Sequence, residues 1–144
     1  MTDTVSAQNS YKLDDQIGYL LRLASQRHAA IFQAHAIENL TPTQFTTLLR
    51  VSEQGRVSQN HLGRLAAMDV ATIKGVVDRL RAKGLTQSGT DPSDKRRTMI
   101  SLTDKGEALI ADLVRIGKAI SANTLEPLTD AERQTLIKLL RKVT

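Results

Sequence analysis

The sequence lacks cysteine and tryptophan and contains only two tyrosines and two phenylalanines. Without a thiol, the chain can form no disulfide bond and no thiolate metal site, and it cannot respond to oxidants through cysteine chemistry. No apolar run approaches the length of a membrane-spanning helix, and the first ten residues are too polar for a signal peptide. We therefore expect a cytoplasmic protein with a mobile polar tail at residues 1–10.

Catalytic patterns are missing as well. The histidines His28, His35 and His61 fall in no metal-binding or phosphate-binding motif. Serine, glycine and aspartate residues form neither a nucleophile elbow nor the order of a catalytic triad. We expect no enzymatic activity, no metal and no cofactor.

The charge that is present is positive and unevenly distributed. The formal net charge is +5, and the segment from Thr41 to Gly106 holds eleven Lys and Arg against six Asp and Glu, whereas the rest is balanced at nine against nine. A basic excess confined to one segment indicates a polyanionic partner for that segment.

Residues 58–103 read as two short helices, a turn and a basic hairpin, the layout of a winged helix-turn-helix. The first helix begins at Ser58 as N-cap, and the second begins at Asp69. The apolar residues of the second helix recur every three or four positions and are predicted to be buried: Val70, Ile73, Val77 and Leu80. The opposite face holds small or hydrogen-bonding residues that could approach base edges in a major groove: Ala71, Thr72, Lys74 and Gly75.

The hairpin follows Gly84, which is predicted to end the second helix. Residues 85–89 and 97–102 have strand composition, and residues 90–96 between them have turn composition. Lys95, Arg96 and Arg97 place three cations at the tip of a narrow ribbon, which suits a minor groove or its phosphates. The alternative is a solvated charged turn. The position directly after a helix-turn-helix favours contact with DNA.

This stretch resembles the MarR family of bacterial winged-helix regulators. The residues that carry the resemblance are Val77, Arg79, Leu80, Lys83, Gly84 and Leu85, followed by Asp91, Pro92, Asp94, Arg96, Ile100, Leu102, Thr103 and Gly106. The resemblance implies a mainly α fold with a small β-hairpin wing and six helices in a dimer, acting as a sequence-specific DNA-binding repressor. The residues expected to contact the operator are Ser58, Ala71, Thr72, Lys74, Gly75, Arg79, Lys95, Arg96 and Arg97.

The flanking segments are helical by periodicity. An apolar stripe runs through residues 13–37, Thr41 and Pro42 open the next helix, Thr103 opens a long one, and Thr129 with Glu132 forms a capping box for the last. We expect a single domain over residues 1–144, with a winged helix-turn-helix lobe at 41–103. Because the terminal helices have apolar faces without partners in a monomer, we expect residues 11–38 and 104–144 to form a homodimer interface.

The first helix also holds a candidate ligand site. His28 and His35 share one face, and three readings are open: hydrogen-bonded histidines at a core or dimer seam, an anchor for an anionic ligand, or a metal site. MarR-like proteins sense oxidants, metals or small organic anions, and the absence of cysteine with scattered histidines favours the last. The resemblance points to an aromatic acid, a hydroxycinnamic acid or a CoA thioester as inducer of a catabolic operon. An aliphatic wall needs a polar anchor to hold a carboxylate, and the candidate anchors are Arg27 and His28, with Phe45 against the ring of the ligand.

Two positions depart from the family pattern. The first wing strand ends Leu85-Thr86-Gln87-Ser88, where relatives often have an arginine, so any ion pair that braces the wing from that position is absent here. In the second helix, Lys74 with Gly75 replaces a more usual hydroxyl and arginine pair. The operator sequence therefore cannot be inferred from other members. A second reading of the chain is a ligand-binding or protein-interaction module that keeps the fold without binding an operator.

Overall fold

The computed structural model describes residues 10–144. Over this range the chain forms six α-helices, three β-strands and one short 3-10 turn at Leu13–Asp15. The helices are α1 Ile17–His35, α2 Pro42–Gln54, α3 Gln59–Leu65, α4 Val70–Ala82, α5 Asp104–Leu125 and α6 Asp130–Lys142. The strands are β1 Arg56–Ser58, β2 Thr86–Asp91 and β3 Asp94–Leu102. The predicted fold class is confirmed, and the predicted tail lies outside the described residues except for Ser10.

The helices begin at the residues that the sequence predicts. Thr41 accepts a hydrogen bond from the backbone N–H of Gln44, whose side chain accepts one from Thr41 in return. The same capping box joins Thr129 and Glu132 before α6. Single caps open α3 at Ser58 and α4 at Asp69. Each cap satisfies backbone donors that the first helical turn leaves unpaired.

The chain divides into two compact units. One comprises the chain up to His35 together with Ile120–Thr144, and the other is Ala36–Ala119. Helix α5 contributes to both units. No described helix is both long and apolar enough to cross a membrane.

The core of Ala36–Ala119 is formed by apolar residues of α2 to α5 and of strands β1 and β3, together with Leu40 and Leu85 from connecting segments. Its fully buried members include Leu48, Leu62, Ile73, Leu80, Leu85, Ile100 and Leu113. The predicted buried face of α4 holds for Ile73, Val77 and Leu80, and Val76 joins it. The prediction for Val70 is wrong, because its side chain is 71% exposed. Val70 is the first residue of the helix. The elements that cover the buried face farther along α4 do not reach this end.

The wing is a three-stranded antiparallel sheet in the order β1-β3-β2, where the sequence predicts a two-stranded hairpin. Strand β1 pairs Val57 with Ile100 of β3. The hairpin strands are also longer than predicted, and only Pro92 and Ser93 separate them. The turn is tight because the Asp91 carboxylate accepts hydrogen bonds from the backbone N–H and the hydroxyl of Ser93, which also lower the pKa of Asp91.

Candidate nucleic-acid interface

A basic groove of about 420 Å³ lies between the start of α3 and strand β3. We call it the basic groove, and its lining residues are Ser58, Gln59, Asn60, Arg64, Arg96, Arg97 and Thr98. Three of these side chains are cationic and none is acidic. A positive, polar groove beside a helix-turn-helix can hold the phosphates of a DNA backbone.

The wing cations are held loosely by carboxylates of the same hairpin. Arg96 Nε lies 3.1 Å from Asp94, and Arg97 Nη1 lies 3.8 Å from Asp91. The hydrogen bonds from Arg96 lower the pKa of Asp94. The Arg96 side chain is 91% exposed. Exposed ion pairs of this kind stabilise a fold by little, so both guanidinium groups can exchange these partners for phosphates.

Helix α4 presents the predicted reading face. Ala71, Thr72, Lys74 and Arg79 are exposed, and Gly75 is half-buried. A Cβ built on Gly75 would lie 3.2 Å from Nη1 of Arg79, so the guanidinium group extends back across the glycine. The absence of a side chain at Gly75 therefore leaves room for the Arg79 guanidinium on the outer surface of the helix.

A chain of polar contacts joins α4 to the wing. Lys74 Nζ lies 3.0 Å from Asp78, Asp78 lies 2.8 Å from Arg81, and Arg81 donates to the Ser88 hydroxyl at 3.0 Å. The hydrogen bond from Lys74 is the main cause that lowers the pKa of Asp78. Ser88 of β2 thus braces the wing as an acceptor, and α4 supplies the arginine.

Ser58 caps α3, as the sequence predicts. Its side chain is buried, and its hydroxyl accepts a hydrogen bond from the backbone N–H of His61 at the start of α3. It therefore shapes one wall of the basic groove, and its contact with DNA stays a prediction.

Sequence reasoning missed four residues of the basic groove, namely Gln59, Asn60, Arg64 and Thr98. Gln59 and Asn60 directly follow the Ser58 cap, and polar residues in the first turn of the leading helix were an available signal. Arg64 gave no such signal, because its position beside the wing depends on strand β1, which holds the start of α3 against β3.

The candidate anchor residues Arg27 and His28 lie on α1 and contact the last turn of α5, as His35 does. Arg27 donates to the carbonyl oxygens of Thr124 at 2.7 Å and Asn123 at 3.0 Å. Both carbonyls lie in the last turn of α5, and a cation is favourable at a helix C-terminus. His35 is hydrogen-bonded to the Asn123 side chain at 2.7 Å.

The hydrogen bonds around His28 determine which ring nitrogen carries the proton. The Thr124 hydroxyl donates to the carbonyl of Ile120 at 2.8 Å, so it accepts the hydrogen bond from Nδ1 of His28 at 2.9 Å. In the neutral ring, Nε2 is then a free acceptor. Among residues 10–144, no three His, Asp or Glu side chains cluster as a metal site would require.

His28 also lines a cavity of about 430 Å³ between α1, α5 and α6. We call it the histidine cavity. Most of its wall is aliphatic, with a polar corner, and its lining residues are Leu21, Ala24, Ser25, His28, Ser121, Thr124, Leu125, Leu136, Ile137 and Leu140. The size is within the range of small-molecule sites. Phe45 belongs to the other unit, where a Cβ at Gly117 would lie 3.2 Å from its ring.

The chain is similar to known bacterial regulators over most of its length. Residues 40–98 match the MarR family profile. The transcriptional repressor NicR of Pseudomonas putida is 41% identical over 134 residues, which is 92% of this chain and 85% of NicR. A crystal structure of a probable transcriptional regulator from Pseudomonas aeruginosa superimposes with a TM-score of 0.88 at 47% identity, covering 92% of this chain and all of that one.

A further structural relative is Bordetella bronchiseptica BpsR, whose structure concerns the regulation of its DNA binding by 6-hydroxynicotinic acid. It superimposes with a TM-score of 0.87 at 39% identity, covering 92% of this chain and 96% of BpsR. The match to the family profile, the extent of these alignments and the winged helix-turn-helix geometry all indicate the same family. The chain belongs to the MarR family of transcriptional regulators.

Proposed function

We propose that this protein is a homodimeric repressor that binds a near-palindromic operator and is released from it by a small aromatic carboxylic acid. The genes under its control would then form a catabolic operon for that acid. The observation that carries the proposal is that Asn60 and Arg64 line both the basic groove and a hollow at the start of α4, so cations suited to phosphates lie beside a helix suited to base edges.

The proposed contacts divide into two kinds. Arg64 and the wing residues Lys95, Arg96 and Arg97 would bind phosphates or the minor groove. The outer face of α4 would read bases, with its members being Ala71, Thr72, Lys74, Gly75 and Arg79. Lys74 would exchange its exposed ion pair with Asp78 for a base acceptor.

The DNA-binding proposal is tested by selecting sequences from a random double-stranded library with the purified protein. We expect a near-palindromic consensus with two half-sites about one helical turn apart. A folded protein that enriches no sequence would favour the second candidate, a ligand-binding or interaction module that retains the fold.

The proposal of a homodimer rests on where the apolar surface is. Within residues 10–144, all but two of the exposed large apolar side chains belong to the unit of α1 and α6, and they are Tyr11, Leu13, Ile17, Leu20, Leu21, Leu23, Leu136, Ile137, Leu139 and Val143. Exposed apolar side chains concentrated on one unit indicate an interface there. In a closed twofold dimer, this surface packs against the same surface of a second copy of the chain.

We expect the protein to sediment as a dimer at micromolar concentration. Leu139→Glu should shift it towards monomer, because a charge would be buried without a partner at the interface. Val70→Glu is the matched control, since Val70 is also exposed but lies in the other unit. If the wild type sediments as a monomer, or if both variants shift the oligomeric state equally, then α6 does not form the dimer interface.

The proposed effector is a free aromatic acid, with its ring in the histidine cavity and its carboxylate at the polar corner. With both ring nitrogens protonated, His28 would donate Nε2–H to the carboxylate while Nδ1–H stays bonded to Thr124, and Arg27 retains N–H donors beyond the two that bind carbonyls. The similarity to BpsR makes 6-hydroxynicotinic acid the first compound to test. The place of Phe45 beside the ring stays a prediction.

We expect calorimetry to detect binding of one or more hydroxylated aromatic acids from a panel of benzoates, hydroxynicotinates, hydroxycinnamates and their CoA thioesters. His28→Ala should weaken binding by about 5- to 150-fold, because the carboxylate loses its partner in an aliphatic cavity. His35→Ala is the matched control, since His35 also bonds α5 but does not line the histidine cavity.

If only the thioesters bind, the effector is the activated form and the free-acid proposal is wrong. If His28→Ala and His35→Ala bind with equal affinity, His28 is not the anchor. For the acid to release the operator, it must bind the DNA-free state more tightly. A coupling of about 1–3 kcal/mol would lower operator affinity about 5- to 150-fold.

A further inference from the structure

Val70 is an unusual residue for the surface of this domain. Its side chain is 71% exposed, although it lies in register with the buried residues Ile73 and Val77 of the same helix. Val114, the other exposed large apolar residue in Ala36–Ala119, is 42% exposed. Most of the Val70 side chain therefore lies outside the core, at the first position of α4, where a partner molecule can reach it.

The surroundings of Val70 connect it to the basic groove. A shallow hollow of about 420 Å³ lies between α3 and the start of α4, and its lining residues are Asn60, Gly63, Arg64, Met68, Asp69, Val70 and Ile73. Asn60 and Arg64 also line the basic groove. Val70 therefore projects from the leading end of α4, on a surface that continues directly into the cationic one.

The chemistry of a base-pair edge limits what such a side chain could contact. The first residues of a recognition helix lie nearest the base edges when the helix enters the major groove. The 5-methyl group of thymine is the apolar group on those edges, and aliphatic side chains distinguish thymine through it. Asp69, the preceding residue, already accepts a hydrogen bond from the Thr72 N–H at 2.7 Å, as the cap that orients the helix start.

We propose that Val70 is a specificity-determining residue that reads the methyl group of one thymine in each operator half-site. The inference rests on the operator binding proposed above. Val70 would discriminate thymine from cytosine and from uracil by burying its side-chain methyl groups against the thymine methyl, while the cations of the basic groove supply affinity that is independent of sequence.

The experiment replaces each thymine of the selected operator, one at a time, with deoxyuridine, which removes only the methyl group. Affinities are measured by fluorescence anisotropy at fixed salt for wild type, Val70→Ala, Val70→Ile and Val114→Ala. We expect one symmetric pair of thymines at which deoxyuridine weakens wild-type binding about fourfold per half-site, the value of one buried methyl group.

At that pair, Val70→Ala should bind the thymine and deoxyuridine operators equally, whereas Val70→Ile and Val114→Ala should discriminate as wild type does. If every thymine substitution affects wild type and Val70→Ala to the same extent, the Val70 inference is overturned and operator binding stands. If wild type selects no sequence at all, both proposals fall together.

Discussion

Gly106→Ala should destabilise the protein by about 3 kcal/mol, a large part of the stability of a domain this size. Gly106 is the third residue of α5 and is buried. A Cβ at this position would overlap the carbonyl oxygen of Leu85, which already accepts a hydrogen bond from the N–H of Thr103. The obstacle is backbone, so it cannot be removed by a change of rotamer. We expect a lower denaturant midpoint and disruption of the root of the wing.

Gly18→Ala is the control for this substitution. Gly18 also lies in the first turn of a helix, but no atom of residues 10–144 beyond its own helical turn would lie within 4 Å of its Cβ. It should be neutral or stabilising, by up to about 1 kcal/mol, because alanine favours the helix. If chemical denaturation gave Gly18→Ala and Gly106→Ala the same stability, the close approach of α5 to Leu85 would be wrong.

Replacing Arg64, Arg96 and Arg97 together with glutamine should lower operator affinity by about 100-fold or more at moderate salt and flatten its salt dependence. The slope of log affinity against log salt should fall by about 0.9 for every phosphate that an arginine no longer neutralises, in each half-site. The decrease in affinity should be similar for operator and random DNA, because binding to phosphates carries no sequence information. Anisotropy titrations over a series of salt concentrations measure both quantities.

Arg50→Gln and Arg115→Gln serve as controls for charge alone. Both arginines are exposed and paired with an acidic residue three positions away, as Arg50 is with Glu53 at 2.9 Å, but neither lines the basic groove. They should leave the slope unchanged. An unchanged slope in the triple variant would show that the basic groove is not where DNA phosphates bind.

Local features of the fold could be predicted because each depends on a few neighbouring residues. The caps at Thr41, Ser58, Asp69 and Thr129 follow from hydrogen bonds within one helical turn, and all four are present. The buried stripe of α4 follows from helical spacing, which fails only at Val70. Spacing indicates which side chains share a face, but it does not indicate where the covering elements end.

Features that depend on distant pairing could not be predicted in this way. Strand β1 has three residues and one inward apolar side chain, Val57, so it shows no alternation, and its pairing partner is more than forty residues away. The basic groove depends on that pairing. The orientation of His28 depends on Thr124, a contact of 96 positions in sequence. Neither has a local signature.

The most direct test of the proposed function is a titration of labelled operator with the purified protein at moderate salt, with and without 6-hydroxynicotinic acid. We expect one dimer to bind each near-palindromic site far more tightly than random DNA of the same length, and the acid to lower that affinity about 5- to 150-fold. A folded protein that binds operator and random DNA equally would contradict operator recognition. Selective binding that the acid leaves unchanged would contradict this effector alone.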